Sequence, residues 1–465
     1  MTTPSKTSAR TSRFNSAQAR RKKRQRRSLH LESLESRQML AAGDISIFQA
    51  ATAGEVLTGG TNTNTPGPDL VQDFDTTIRA DGAHTLLPGG QDIALDAGHH
   101  LVIYNSRFDK PGGGTEDRSQ IQSNLNLNGN DLSAGWSEGF IRLQQGQNET
   151  ITAGGAIIDV ANDGDVLQLQ SFRTDTDTNA TTRFDGESAI QLVKLGDSSD
   201  YLILSGNDGV AANQSIPNST ANFTAVNYTD SQEADGGSFA HNISTNPEDI
   251  TLNTAGHYLV MANTYASGAS SRTSILQRLT LDGATVAGSQ TSVYLRGNNI
   301  NQLTDEGAAS IGMIIETTGA NQVLNVEITQ DVGRGGMIID GDRTGLTIVK
   351  LPDAGEYIRL LDTSNNQNIN STRDLNFDDA GSQLEIDGSF THATSQVGTS
   401  NSGDYLFLTS QYDTNDGSAR GFYNQRWEKN NAAALPYGQT GRYSRNAGGG
   451  RYSRSYCRGS EQCGR

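Results

Sequence analysis

The chain has 465 residues, enough for about three domains of roughly 150 residues each. Charged residues make up 19% and the hydrophobic class 34%, with 52 glycines, 9 prolines and 2 cysteines; this excludes a membrane-spanning bundle, a coiled coil and a disulfide-stapled scaffold, and favours short strands joined by polar turns. The formal charge of −16 hides a division, because basic ends flank a body with 19 basic and 49 acidic residues, a net −30, which repels phosphate polyanions and argues against a nucleic-acid partner.

Residues 1–42 carry eleven Lys/Arg against two Glu, concentrated in Arg20-Arg21-Lys22-Lys23-Arg24-Gln25-Arg26-Arg27. Such a run repels itself and has little apolar surface to bury, which predicts a disordered basic leader. The positive run and the small residues Ala41-Ala42-Gly43 fit an export signal, although an apolar core is missing between them. The string Leu31-Glu32-Ser33-Leu34-Glu35-Ser36-Arg37-Gln38-Met39-Leu40-Ala41-Ala42 resembles the N-terminal motif of large secreted and surface proteins of planctomycete-type bacteria. There a basic run precedes Leu-Glu-x-Leu-Glu-x-Arg-x-Leu-Leu-Ala; here Met39 replaces one Leu. The resemblance implies processing near Ala41–Gly43 and a body that is secreted or held at the cell surface; the composition separately predicts no transmembrane segment.

After a linker at 43–65 the chain repeats itself. Asp96-Ala97-Gly98-His99-His100-Leu101-Val102 parallels Thr254-Ala255-Gly256-His257-Tyr258-Leu259-Val260, and Arg118, Ile121, Leu125, Leu127 and Gly129 recur as Arg272, Ile275, Leu279, Leu281 and Gly283. Phe140-Ile141-Arg142 returns as Tyr294-Leu295-Arg296, and Val193-Lys194-Leu195 followed by Tyr201 returns as Val349-Lys350-Leu351 followed by Tyr357. These matches divide the body into repeat 1 at 66–205, a linker at 206–218 and repeat 2 at 219–362. A third, incomplete copy at 363–445 repeats the Gly-His-Tyr-Leu segment as Gly403-Asp404-Tyr405-Leu406-Phe407, and its similarity stops after Arg445. The remaining Arg/Gly-rich tail, 446–465, repeats GRYSR and holds Cys457 and Cys463; it reads as a break in the third copy, through truncation or a shifted frame.

Within each copy apolar and polar residues alternate, as in half-buried strands. Leu101 and Ile103, like Leu259 and Met261, share one strand face; Leu125/Leu127 and Leu279/Leu281 do likewise. Asn128-Gly129 and Asp282-Gly283 predict tight hairpin turns. Further strands are expected at 138–143, 155–160, 165–171, 188–195 and 200–204. The fold class is all-β: tandem jelly-roll-like β-sandwich domains after a disordered basic leader, with about eight to ten strands per copy. The lead-in Phe223, Tyr228 and Phe239, the strand Ala255-Gly256-His257-Tyr258-Leu259-Val260 and the closing strand Gly345–Leu351 resemble the C1q/tumour-necrosis-factor-like jelly roll. That resemblance implies binding of proteins or glycans and either homo-oligomerisation or, as the alternative for tandem copies in one chain, packing of the copies against one another.

Catalytic signatures are missing from the residue pattern: no Gly-x-Ser-x-Gly, no phosphate loop and no cysteine in the body. His84, His241 and His392 are read as one repeat position and His99 and His257 as another, in structural roles. Asp159 and Glu316 match between copies, with no second matched carboxylate to complete an acid/base pair. No catalytic or cofactor-binding residue is assigned. Asp159, Asp163 and Asp165 in one loop, and Asp413, Asn415 and Asp416 in another, offer oxygen ligands to calcium; Asp, Asn and Gly also simply make turns. The sequence therefore predicts a non-enzymatic secreted or cell-surface repeat protein with a structural, adhesive or binding role towards an extracellular protein or glycan. The alternative is a non-catalytic fragment of a secreted carbohydrate-active or other enzyme.

Overall fold

Alternating apolar and polar residues, with tight turns at Asn128-Gly129 and Asp282-Gly283, build strands that pair antiparallel among the described residues. The computed structural model describes residues 45–359, apart from short connecting segments, and strand segments at 384–385, 390–393 and 396–399. The leader, most of the third copy, the Asp413 loop and the tail with its two cysteines lie outside the described residues.

Four large sheets form two sandwiches. In the first, one sheet contains Ile45–Gln49, Val56–Leu57, Thr76–Arg79, Gly98–Asp109, Glu149–Val160, Thr181–Arg183 and Ala189–Lys194. Its partner sheet contains Leu70–Val71, His84–Leu86, Ile93–Leu95, Arg118–Leu127, Asn130–Asp131, Ser137–Arg142 and Asp165–Arg173. The second sandwich repeats the plan. Gly256–Ser267 lies between Gly307–Thr317 and Ile338–Leu351 in one sheet, and Thr273–Leu281 lies between Thr291–Leu295 and Gln322–Gln330 in the other. First and last strands pair in each, the closure that makes these sandwiches jelly-roll-like.

The strand register divides the copies differently from the sequence by one strand. Tyr201–Ser205, read as the end of repeat 1, pairs with Gly345–Val349 and opens the second sandwich. Ile45–Gln49 holds the same place in the first sandwich, pairing with Ala189–Val193 inside the segment read as a linker. The sandwiches thus run from 45 to 194 and from 201 to 351. Tyr201 follows Val193-Lys194-Leu195 at short range and matches Tyr357, so the sequence comparison groups it with the strand before it rather than the one after.

Two cores result. Phe48, Phe74, Ile93, Val102, Leu125, Leu167 and Leu192 fill the first; Leu204, Tyr228, Ile250, Val260, Leu279, Val326 and Ile348 fill the second. The predicted hairpins hold the positive φ that a type I′ turn requires: +53° and +85° at Asn128 and Gly129, +50° and +76° at Asp282 and Gly283. The turn side chains also reach sideways, Asn128 Oδ1 accepting from Val166 N–H and Asp282 Oδ1 from Val323 N–H, each at 2.8 Å. Each hairpin is thereby tied to the neighbouring strand, which fixes its register.

The sandwiches come into close backbone contact at Gly345. A Cβ there would stand 2.5 Å from Ala134 Cβ and 2.7 Å from the Ala134 backbone nitrogen. Gly345→Ala is expected to lower stability by about 1–3 kcal/mol through overpacking, read as the urea midpoint of the full chain. Gly319→Ala, where a Cβ meets nothing within 4 Å, is the matched control and should stay within about 0.5 kcal/mol.

Candidate functional site

The long strands place alternate side chains on opposite faces, and here both faces are buried. Leu101, Ile157 and Leu195 of the first sandwich pack on Tyr201, Ile203, Leu259, Met261, Val349 and Leu351 of the second. At about 1.5–3 kcal/mol per fully buried apolar side chain, this seam is worth on the order of 10 kcal/mol. A large apolar interface of this kind makes the tandem one body rather than two hinged beads. A cavity of about 200 Å³ lies in the seam, lined by Leu132, Ala134, Ala156, Ile158 and Asp159 from the first sandwich and Ile203 from the second.

Beside this cavity Tyr201 Oη lies 2.7 Å from His99 Nε2, and Asp159 Oδ1 lies 3.3 Å from the same nitrogen. The two rings stack at 4.1 Å. A catalytic relay places the nucleophile and the orienting carboxylate on opposite ring nitrogens; sharing one nitrogen joins the sandwiches instead. Asp159 stands opposite His99 and Glu316 opposite His257 in the strand ladders. The matched carboxylate and the matched histidine of the sequence are therefore one recurrent cross-strand pair.

A polar cluster closes the far end of the seam. Trp136 meets Phe172 edge-on at 5.9 Å and Tyr265 of the second sandwich at 6.1 Å. The Arg343 guanidinium lies 4.9 Å from the Trp136 ring and 4.8 Å from the Tyr265 ring, a cation–π contact to both. Tyr265 Oη donates to Glu306 Oε2 at 2.7 Å and accepts from Arg343 Nη1 at 2.7 Å and from Gln122 Nε2. Gln120 Nε2 donates to Glu138 Oε1 and to the Glu306 carbonyl, both at 2.6 Å.

Glu138 Oε2 is sealed from solvent without a hydrogen-bond partner. Desolvation holds its carboxyl well above the ordinary carboxylate range; the hydrogen bond from Gln120 opposes that shift and the nearby Glu306 charge adds to it. The Tyr265 phenol is likewise pushed well up by burial and by Glu306. A Cβ on Gly307 would stand 2.6 Å from Glu138 Oε2, so the Gly307 backbone packs directly on this carboxyl, and the cluster joins one sandwich to the other. None of Gln120, Gln122, Glu138, Tyr265, Glu306 or Arg343 is conspicuous in the sequence. Their signal is departure from the repeat: strand pairing sets Gln122 and Glu138 where the second copy has Leu276 and Ser292.

The other residues singled out in the sequence have local duties. Asp163 Oδ1 accepts from Ala97 N–H at 2.8 Å and Asp165 Oδ2 from Asn162 N–H at 3.1 Å, closing their turn. Among the described residues no group of three or more His, Cys, Asp or Glu is placed to hold a metal ion. His84 and His241 do not share a repeat position. His84 pairs with Leu95 and Phe239 with Leu252, so Phe239 is the counterpart of His84, and His241 lies two residues further along. The sequence groups the two histidines because each ends a similar lead-in, Asp81-Gly82-Ala83-His84 and Gly237-Ser238-Phe239-Ala240-His241, whereas the ladder depends on pairing. His392 lies in the strand Phe390–Ala393.

Glu138 also makes stability depend on pH in a definite direction. Below its ordinary value of 4.5 the carboxyl is protonated whether folded or unfolded. Above it, the folded chain retains a proton that the unfolded chain releases, so stability falls as pH climbs towards the raised folded value. Glu138→Gln removes this titration, and its stability relative to the unmodified chain should rise between about pH 4 and pH 8. Urea unfolding at both ends of that range checks this; an unchanged difference would show that Glu138 titrates normally.

No family model matches the chain, and no curated protein matches it. Among solved structures, murine APRIL is 11% identical, covering 33% of this chain and 100% of its own, with a TM-score of 0.24. Eiger TNF from S. frugiperda is 15% identical, covering 35% of this chain and 96% of its own, also at 0.24. The CBM22-1-CBM22-2 tandem domain of Paenibacillus barcinonensis Xyn10C is 12% identical, covering 65% of this chain and 98% of its own, at 0.17.

Proposed function

We propose that the chain is a secreted or cell-surface repeat protein with a structural, adhesive or binding role towards an extracellular protein or glycan, and without catalysis of its own. The observation that carries this reading is the seam. Nine buried apolar side chains from both copies, together with the Trp136–Tyr265–Arg343 cluster, fuse the tandem into a rigid stack. Rigidity holds repeated surfaces at fixed spacing, which favours multivalent binding, since simultaneous engagement depends on geometry. The acidic body and the Leu31–Ala42 string supply the argument for export. No helix among the described residues is long and apolar enough to cross a membrane.

Export is tested by expressing the full chain with an internal epitope in a planctomycete-type host, beside a variant lacking residues 31–42. The intact chain should reach the extracellular or surface fraction with a new N-terminus near Gly43, and the deletion should hold it in the cytoplasm. Cytoplasmic retention of the intact chain would overturn the reading. Purified protein can then be offered to glycan and surface-protein arrays, where binding should strengthen with the number of copies displayed.

A further inference from the structure

Buried in the first sandwich is a line of hydrogen bonds between three strands and two turns. Ser46 Oγ lies 3.0 Å from His84 Nδ1, His84 Nε2 lies 2.9 Å from His100 Nδ1, and His100 Nε2 lies 2.8 Å from the Asp96 carbonyl oxygen. Asp81 N–H donates to Ser46 Oγ at 3.1 Å. The three side chains are 0%, 2% and 0% exposed.

Elementary bonding rules fix every proton on this line. A carbonyl only accepts, so His100 Nε2 carries hydrogen, and in a neutral ring His100 Nδ1 must then accept. His84 Nε2 therefore donates, His84 Nδ1 accepts, and the Ser46 hydroxyl donates to it. Each site is used once, and an added proton has no place. On His100 Nδ1 it would face the N–H of His84. On His84 Nδ1 it would leave the buried Ser46 hydroxyl without its acceptor.

The second sandwich supplies a comparison within the same chain. By strand register, Ser46, His84 and His100 correspond to Leu202, Phe239 and Tyr258. The ring pairs have nearly the same edge-on geometry: 5.0 Å and 71° for His84–His100, 5.7 Å and 69° for Phe239–Tyr258. Tyr258 Oη even donates to the Thr254 carbonyl at 2.6 Å, where His100 meets Asp96. Shape and packing are thus shared between the copies, and the imidazoles are confined to the first.

We infer that the first sandwich is built to be unlocked by mild acid, which releases its first strand, Ile45–Gln49, while the second sandwich stays closed. Ser46 lies on that strand, which is further held by Ile45 N–H donating to Asp81 Oδ2 at 3.2 Å. The charged and titratable groups facing the line are Asp81, itself paired with Arg79 at 2.8 Å, Asp96, Lys194 and the His99 ring. Desolvation is the largest influence on both rings; Lys194 works in the same direction, as does His100 on His84, and the two carboxylates oppose it. His84 is pushed down to about 3 from its ordinary 6.5, and His100 is also lowered. Opening therefore grows easier as pH falls below the free imidazole value, because released rings take up protons that the closed strand excludes. Loss of Ile45–Gln49 bares the edge of Ala189–Lys194, a row of unpaired backbone groups able to receive another strand.

Amide hydrogen exchange of the full chain at about pH 7.5 and about pH 5 tests this. After correction for intrinsic rates, protection of Ile45–Gln49 should fall by about 30-fold from His84 alone, while Tyr201–Ser205 should change little. Equal changes in both strands, or none in either, would overturn the inference. Carrying the second copy's side chains into the first, as S46L/H84F/H100Y, should abolish the acid effect; a folded graft that keeps it also overturns the inference. If that graft does not fold, imidazole NMR of the unmodified chain decides: His84 silent down to about pH 5 supports the inference, and titration near the free value refutes it.

Discussion

The double burial of two long strands organises this molecule. Gly98–Asp109 and Gly256–Ser267 each send one parity of side chains into their own sandwich and the other into the seam. A strand in that position has no solvated face on which to place a polar residue without cost. Leu101 with Ile103, and Leu259 with Met261, serve the seam; Val102 with Tyr104, and Tyr258 with Val260, serve the cores. Some polar groups along the seam pair across the junction, Gln120 with the Glu306 carbonyl, Gln122 with Tyr265 and Arg343 with the Trp136 ring, whereas Glu138 Oε2 does not.

Much of this architecture can be read from the residues, and the parts that cannot share a cause. The hairpins at Asn128-Gly129 and Asp282-Gly283 are legible because a type I′ turn needs residues that tolerate positive φ, a local requirement. The strands around Leu125 and Leu279 are legible because alternation is also local. Tyr201–Ser205 is misplaced because its allegiance is set by pairing with Gly345–Val349, far along the chain. Alternation identified Leu101, Ile103, Leu259 and Met261 as sharing a face, but not that this face meets a second sheet.

The histidines show the same limit at the scale of single positions. Asp159, Glu316, His99 and His257 were each recognised as recurring, yet only the ladder makes them cross-strand neighbours. His84 and His241 end similar lead-in segments and are separated by register. The junction cluster lies where the copies differ, so a search for what repeats passes over it.

That difference has an architectural consequence. The junction is heterologous: the first sandwich contributes Trp136, Glu138, Gln120 and Gln122, and the second contributes Tyr265, Glu306, Arg343 and Gly345. The first copy has a glutamate, Glu149, at the position of Glu306, but Arg107 and Ala189 stand at those of Tyr265 and Gly345, and in the second copy Leu276 and Ser292 stand in for Gln122 and Glu138. The tandem therefore has a polarity, like a plug followed by its socket. The two domains cannot trade places along the chain, and a duplication that began with identical units has become an ordered sequence in which position determines identity.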